Sequence, residues 1–527
     1  MTEIQQKRQG DRKTFLKISV KNKTMLQSSL SAILKRQYNK ILRDQLTPGE
    51  AQEKAFRRLQ AKLRRSEIYR SSELSRAKNL NDYARLAQVR TYEDYKQTIK
   101  TTLSAPSRAM FSDPLQYVGL SSGTTSGDCK ALPYNKAMLK TWERYQLAMA
   151  AILQEASSIS LIKDQRLIWG STPIVRKDER GLAHGYVSGF LSMRSPWLFR
   201  RNSFPKAESL LIPDMNAKME KMSEELRSAN LQLVSGVPSY LLSLFEHLKE
   251  SWGCENLAEA FPNLRTCVYS ATAIDAWKSQ LNTAVGRELN YVGCYASTEG
   301  PFGYEIPTLN GGMNGIYQFH LGDIVYLFRK LGEDGKIVRL ADLQPGDEVE
   351  LLLSSPNGLI NYSIGDCLKI ISVNPTVQFQ ILGRIGQGMN VAAEKVSMAE
   401  LNSVIEELSQ ETKNVIRHFF VYPGRSPSGR ANYQWAFAID NPNPKLNSQW
   451  ARQVDEILKK KNFDYWEARE ELGFIDSPQV QFISAEMVKN FHQSQASRGQ
   501  FKMKSNFNSE KEFYSFVGKM MEGTVAA

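Results

Sequence analysis

Gly119-Leu120-Ser121-Ser122-Gly123-Thr124-Thr125-Ser126-Gly127-Asp128-Cys129-Lys130 is the stretch on which the reading of this chain turns. Hydroxyl side chains and glycines run up to a lysine, and an amphipathic helical pattern begins soon after. Glycine lets the backbone approach a polyphosphate closely, hydroxyls and free N–H groups supply donors, and the lysine adds a point charge. Gly-Lys-Ser is missing, so this is no Walker loop. Ser, Thr and Gly are also what surface turns contain, and composition alone leaves a plain linker open.

Two further segments bear on that choice. Tyr295-Ala296-Ser297-Thr298-Glu299-Gly300 follows the apolar run 291–294, which sets an aromatic ring, a hydroxyl and a carboxylate at a strand end. Asn361-Tyr362-Ser363-Ile364-Gly365-Asp366 puts a carboxylate beside a glycine in a turn between strands. Taken singly, Tyr295 also reads as a core aromatic, Glu299 as a carboxylate near a helix start and Asp366 as a turn residue. Around these segments, residues 167–169, 231–234, 266–269 and 291–294 read as short buried strands, with helices at 135–153 and 240–248 between them. That alternation predicts α/β architecture with strands buried on both faces. A β-rich stretch follows over 316–382, with strands at 348–353 and 368–373.

Gly383-Arg384-Ile385-Gly386-Gln387-Gly388 then marks a hinge and a domain boundary. Beyond it the pattern is α+β, with helices at 398–408 and 448–461 and strands at 419–422, 433–439 and 480–484. The predicted organisation is a basic helical N-terminal region over 1–80, a large domain over 81–384, and a small C-terminal domain over 385–527.

In this order, the glycine-rich loop, Tyr-x-x-Thr-Glu, Tyr-x-x-Gly-Asp and Gly-Arg hinge resemble the adenylate-forming superfamily. Within it the chain most resembles the Gretchen Hagen (auxin-responsive) family of acyl acid amido synthetases, particularly its bacterial members. The family's Ser-Ser-Gly-Thr-(Ser/Thr)-x-Gly loop corresponds to residues 121–127, its Tyr-Ala-Ser-(Ser/Thr)-Glu to 295–299 and its Tyr-x-x-Gly-Asp to 362–366. Ser235-Gly236-Val237-Pro238-Ser239-Tyr240, Phe261-Pro262-Asn263-Leu264-Arg265 and Asn462-Phe463-Asp464-Tyr465 also look familial. The resemblance runs over about 82–504 and leaves the basic N-terminus uncovered.

The resemblance implies an α/β fold in which a large N-terminal adenylate-forming domain, with sheets and a β-rich part, carries a small mobile α+β C-terminal domain. It implies that the large domain over 81–384 binds ATP and an acid, that Ser121, Ser122, Gly123, Thr124, Thr125 and Lys130 hold ATP phosphates, and that Tyr295 stacks on or borders the adenine. Ala271, Thr272 and Ala273 would line the adenine pocket, Asp366 would accept from the ribose hydroxyls, and Tyr362 and Arg384 would stand beside the nucleotide. Thr298 would lie near the α-phosphate, and Glu299 would be the metal ligand, holding Mg²⁺. Lys502, in Gly499-Gln500-Phe501-Lys502, would be the mobile catalytic lysine, with Lys504 as its substitute.

The implied activity is ATP-dependent adenylation of a carboxylic acid, then amide formation with an amino acid or other amine, releasing AMP and pyrophosphate. Two alternatives stand beside it: transfer of the acyl group to coenzyme A or a carrier-protein thiol, and a non-catalytic effector or binding scaffold. The sequence departs from the family at Asn361 and Ser363, where an arginine is usual, at Met503-Lys504 in place of Pro-Arg, and at Gly386-Gln387 in place of an acidic hinge residue. None of these departures removes a phosphate, magnesium or ribose ligand.

Composition bounds the rest. With 527 residues, 42% hydrophobic and 23% charged, the chain is an ordinary folding sequence, and collagen-like, disordered and disulfide-scaffold classes are excluded. The net charge of +13 resides in residues 1–80, which leaves a neutral main body and argues against nucleic acid as a partner. In that region Leu26, Leu30, Ile33, Leu34, Tyr38, Ile41 and Leu42 share one helix face, with Lys35, Arg36, Lys40 and Arg43 largely elsewhere. A helix packed on the main body is expected, and an anionic surface or acidic partner for its basic face is the alternative. No window approaches an apolar membrane span and no secretory signal leads the chain, so a cytoplasmic monomer acting on small molecules is expected. The cysteines at 129, 254, 267, 294 and 367 are dispersed and expected to be reduced and mostly buried, and the histidines lack metal-ligand spacing.

Overall fold

The computed structural model describes residues 27–104, 110, 111, 113–121, 130–195, 197–212, 214–271, 274–331, 335–384, 387–389, 391, 392, 394, 396–496, 505–507 and 509–525. The first strands are β1 (Leu115–Leu120), β2 (Ala131–Asn135), β3 (Gln165–Ile168), β4 (Arg176–Lys177), β5 (Ala183–Tyr186) and β6 (Ser203–Phe204). Next come β7 (Leu231–Gly236), β8 (Thr266–Tyr269), β9 (Asn290–Ser297), β10 (Gly300–Tyr304) and β11 (Gln318–Phe319). The β-rich stretch contributes β12 (Val325–Lys330), β13 (Ile337–Arg339), β14 (Glu348–Ser354), β15 (Tyr362–Ser372) and β16 (Gln378–Arg384). After it lie β17 (Gln387–Met389), β18 (Val396–Ser397), β19 (Ile416–Arg425), β20 (Ala431–Ile439) and β21 (Gln479–Ser484).

A seven-stranded sheet ordered β11-β10-β9-β8-β7-β3-β6 forms the centre of the large domain. Its strands β3, β7, β8 and β9 are parallel, and every residue of β8 is buried, as covering both faces of a parallel sheet requires. The register Ile168↔Ser235, Ser235↔Val268 and Val268↔Val292 aligns the carboxyl ends of these strands along one edge, where open α/β sheets bind ligands. The helix Pro238–Trp252 begins on a proline whose missing N–H costs nothing there, and stops at Gly253 in the left-handed conformation, φ 66°.

A second sheet, β2-β1-β5-β4, and an antiparallel third, β13-β12-β14-β15-β16, complete the large domain. Strand β15 carries an irregularity that matters for the site. Ser363 and Cys367 face Leu352 and Glu350, so extra residues bulge between them, with Gly365 at φ 81°. Asp366 therefore lies within a strand, not in the inter-strand turn expected of it, because the left-handed glycine makes a bulge instead of a reversal. Glu299 likewise lies in the tight hairpin turn between β9 and β10, not at a helix start.

The helix 27–46 and the helix Pro48–Leu63 join the core of the large domain through Leu34, Tyr38, Ile41, Phe56 and Leu59. Gln45 donates to the Phe319 carbonyl at 2.7 Å, and Gln52 donates to the Ile324 carbonyl while accepting from the Tyr326 N–H at 2.8 Å. Lys35, Arg36, Lys40 and Arg43 face solvent. Ile33, expected on the apolar face, is 54% exposed because it sits at the edge of that stripe. Leu26 lies outside the described residues.

After residue 384 a sheet ordered β19-β20-β21 packs with the helices Met398–Thr412 and Asn447–Lys461. This unit meets the large domain where Trp169 stacks on Tyr240 and Tyr240 sets its ring against Phe474, 5.3 Å between centroids. Cys267 is buried, while Cys254, Cys294 and Cys367 are only half-buried, and all four are unbridged. Cys129 lies outside the described residues. Among the described residues, no helix is long and apolar enough to cross a membrane.

Candidate active site

The carboxyl end of β1 is the fixed point of the site. Ser121 N–H donates to the Lys130 carbonyl at 2.9 Å, and Lys130 N–H donates to Ser121 Oγ at 3.1 Å, which closes the neck of the glycine-rich loop. Ser122, Gly123, Thr124 and Thr125 lie outside the described residues. Just before the neck, a Cβ on Gly119 would stand 2.7 Å from the Tyr134 ring, 3.0 Å from Val187 and 3.1 Å from Thr298. Glycine here lets three elements close on the strand end.

Thr298 is held on that end from both sides: its hydroxyl donates to the Leu120 carbonyl at 3.4 Å, and the Tyr134 hydroxyl donates to its carbonyl at 2.5 Å. Burial pushes the Tyr134 hydroxyl far above its ordinary range, and the Glu299 charge adds to the shift. Tyr134 thus stays a neutral donor.

Lys130, Glu299 and Tyr362 converge from three separate sequence segments. Lys130 Nζ lies 4.0 Å from Glu299 Oε1 and 3.5 Å from the Tyr362 hydroxyl, which is itself 3.5 Å from the same Glu299 oxygen. The other Glu299 oxygen accepts from Ser297 Oγ at 2.7 Å, and Ser297 Oγ accepts from the Glu299 N–H at 3.1 Å. Glu299 is 6% exposed, and the Lys130 ammonium lies over the face of Tyr92, 5.4 Å from the ring centroid.

Asp366 projects from the β15 bulge and accepts from the Tyr295 hydroxyl at 2.6 Å. Both residues are buried. The Tyr295 ring lies within the aromatic core, with its centroid 5.2 Å from Phe302 and 5.9 Å from Phe379, so its hydroxyl reaches Asp366 while its ring packs inward. Arg384 ends β16 directly opposite Asp366 in the register. Ala271, exposed and at φ 69°, follows the carboxyl end of β8 on the same sheet edge. Thr272, Ala273, Lys502 and Lys504 lie outside the described residues.

Four neighbours carried no sequence signal. Tyr92 and Tyr134 belong to no motif, and Ser297 stands inside one with no sign that it clamps its own glutamate. Arg90 is the fourth: its backbone pairs beside Tyr362, and its guanidinium lies 5.8 Å from the Tyr95 ring centroid. Asn361, one of the two departures flanking Tyr362, is buried at φ 51° with its N–H bonded to Ser354 Oγ.

Among the described residues no three His, Cys, Asp or Glu side chains gather to hold a metal. One buried carboxylate, Glu299, beside a lysine suits Mg²⁺ instead, since that ion keeps its waters and arrives on substrate phosphates with one or two protein carboxylates. Chemically, the arrangement offers a cation and donors for phosphates, a carboxylate for a hard cation and a second carboxylate for sugar hydroxyls.

Comparison with known proteins yields three family matches in chain order. The GH3 family N-terminal domain matches residues 37–282, the GH3 family central domain 326–384 and the GH3 family C-terminal domain 399–511. Indole-3-acetic acid-amido synthetase GH3.3 of Arabidopsis thaliana is 27% identical over 143 residues, which cover 26% of this chain and 24% of that protein. Putative indole-3-acetic acid-amido synthetase GH3.10 of Oryza sativa subsp. japonica is 30% identical over 121 residues, 22% of this chain and 25% of that protein. The matched segments thus span about a quarter of the length of these curated relatives. Among solved structures, AtGH3.15 acyl acid amido synthetase in complex with 2,4-DB superposes with a TM-score of 0.60 at 17% identity, covering 93% of this chain and 96% of that one. A 2-hydroxyisobutyryl-CoA ligase in complex with 2-HIB-AMP and CoA reaches a TM-score of 0.51 at 13% identity over 91% of this chain and 94% of that one. At these identities the likeness establishes the fold.

Proposed function

The chain belongs to the GH3 family, and we propose that it is an AMP-forming ligase that adenylates a carboxylic acid with ATP and then joins the acyl group to an amino acid or another amine. The observation that carries this reading is the convergence of Lys130, Glu299 and Tyr362, with Asp366 four residues along the same strand as Tyr362. A glycine-rich loop opens directly beside them.

In this reading Lys130 and the Ser121 neck receive the triphosphate, Asp366 accepts from the ribose hydroxyls, and Tyr295 holds Asp366 in place. Attack of a carboxylate on the α-phosphate brings two anions together and builds charge on the phosphoryl oxygens, so positive charge must stand nearby. Mg²⁺ held by Glu299 would supply part of that neutralisation when bound. Lys130 supplies another part, moving from its carboxylate contact onto the incoming phosphate. Thr298, bonded to Leu120 at the end of β1 and to Tyr134 of β2, presents its backbone and hydroxyl at the α-phosphate position. Lys502 on the terminal segment, or Lys504, approaches for the first step and withdraws for the second, with the glycine-rich stretch at 383–388 as hinge. No covalent enzyme intermediate is needed, because the acyl-AMP is itself the activated species and the amine attacks its carbonyl.

The test is a panel of carboxylic acids assayed by acid-dependent exchange of pyrophosphate into ATP, followed by product analysis with amino acids, hydroxylamine and coenzyme A offered in parallel. Exchange with at least one acid and an amide product support the reading. Exchange with only a thioester overturns the second step, and absence of exchange across the panel overturns the first.

A further inference from the structure

A second cationic cavity lies away from Lys130 and Glu299. It occupies about 220 Å³ at the carboxyl ends of β3 and β6, and its lining includes Arg200, Arg201 and Lys206 together with Ile168, Phe204 and Leu210. No aspartate or glutamate lines it. Arg194, the nearest preceding arginine, is paired with Glu143 at 3.5 Å, whereas the Arg200 and Arg201 guanidinium groups have no carboxylate partner among the described residues.

Lys206 is held in place. Its ammonium donates to the Arg201 and Ser203 carbonyls at 3.2 and 3.1 Å and lies 4.1 Å from the Phe204 ring centroid. That leaves one N–H for a ligand. Desolvation by burial lowers its pKa, the behaviour of an ammonium that gains from an anion brought beside it. The serine hydroxyls of the cavity are committed elsewhere: Ser192, Ser195 and Ser203 donate to the carbonyls of Ser188, Leu191 and Phe199. The available donors are thus all cationic, over a floor that is mostly apolar.

Placement ties the cavity to the reaction cleft. The eight-residue helix Val187–Arg194 begins where Val187 meets Gly119 and ends with Ser192 and Met193 at the cavity, so the two sites stand about one helix length, roughly 12 Å, apart.

We propose that this cavity binds the anionic end of an amphipathic small molecule, an organic phosphate or carboxylate whose apolar part rests on Ile168, Phe204 and Leu210. Two guanidinium groups with no carboxylate partner among the described residues, joined by Lys206, which has Glu225 nearby, select negative charge, and planar guanidinium forks fit carboxylate and phosphate oxygens in pairs. The apolar floor disfavours a bare inorganic anion relative to one carrying a ring or chain. Two sources offer such chemistry: a distal charge on the acid or amine used in the reaction, or a separate effector.

The experiment is calorimetric titration of the full chain with phenyl phosphate, inorganic phosphate and benzyl alcohol, each in the presence of excess AMP, on wild type and on the R200Q/R201Q double variant. Phenyl phosphate binds one equivalent at least about tenfold more tightly than inorganic phosphate, benzyl alcohol does not bind, and the double variant loses about tenfold or more in affinity with an unchanged melting temperature. Equal binding of phenyl phosphate to both proteins, or no binding to either, overturns the proposal. Steady-state kinetics, which rest on the proposed activity as the calorimetry does not, separate the sources. A KM raised for one substrate in the double variant with kcat retained supports a distal charge on that substrate. Unchanged KM and kcat, with loss of any phenyl phosphate effect on rate, supports an effector.

Discussion

Tyr295→Phe removes one atom from the site and isolates one interaction. Its hydroxyl donates at 2.6 Å to an Asp366 carboxylate that is only 5% exposed, so water cannot readily replace the lost donor. A hydrogen bond to a charged group contributes about 1.5 to 3 kcal/mol, and the same range covers leaving a buried acceptor short of a partner. The ring itself stays packed against Phe302 and Phe379, so little packing energy is lost. If Tyr295 orients Asp366 for the ribose, KM for ATP in the pyrophosphate-release assay rises about tenfold, equivalent to about 1.4 kcal/mol, while kcat stays within about threefold. The unfolding midpoint in denaturant falls alongside. A cycle with Asp366→Asn then gives a coupling of about 1 kcal/mol or more in ATP binding, as residues in direct contact require. Wild-type KM for ATP together with an unshifted midpoint in Y295F would refute the assignment of this pair to nucleotide binding.

Three further outcomes follow from the same geometry. Lys130→Met removes the ammonium 4.0 Å from the buried Glu299, so acid-dependent pyrophosphate release falls about a hundredfold in kcat/KM, and the melting temperature falls as well because one partner of a buried pair is lost. Gly119→Ala drives a methyl group into the Tyr134 ring, 2.7 Å away, which costs about 1 to 3 kcal/mol of stability and loosens Thr298; a kcat loss larger than the KM change reports the latter. Glu467, bonded to Tyr240 across the domain contact and facing Asp464, Glu471 and Lys218, is pushed by burial up to about 7. Its folded value lies above the ordinary 4.5, so the folded state keeps the proton longer: the contribution of this group is full below about 4.5 and is lost as pH rises through about 7, by at most about 3 kcal/mol. Denaturant midpoints of wild type against Glu467→Gln between about pH 5 and about pH 8 measure this, and the glutamine variant shows a flatter profile.

The sequence made the parallel strands legible because a strand buried on both faces must be apolar along its length, as Thr266-Cys267-Val268-Tyr269 is. It made the helix 27–46 legible because a helix packed on one side repeats its apolar residues with helical spacing, and only Ile33 at the stripe's edge departed. Short edge strands such as β4 and β6, two residues each, left no periodicity to read. The bulge that aims Asp366 was misread as a turn because a glycine at positive φ serves both, and only pairing with β14 distinguishes them. Within the site, the motifs pointed to Lys130, Glu299 and Tyr362, which the fold brings close, and to Asp366, four residues along β15 from Tyr362. The residues that fix them in place, Tyr92, Tyr134 and Ser297, act through tertiary contacts that no local spacing encodes. The contact of Tyr240 with Phe474 across the domains is of the same kind.

The most direct test of the central claim is a crystal structure with an acyl-sulfamoyl adenosine, a stable mimic of the acyl-AMP, bound to the full chain. The account predicts its ribose hydroxyls on Asp366, its sulfamoyl oxygens between Thr298 and Lys130, and a lengthened distance from Lys130 to Glu299. A ligand seated elsewhere, with Lys130, Glu299 and Tyr362 still joined to one another, would contradict it.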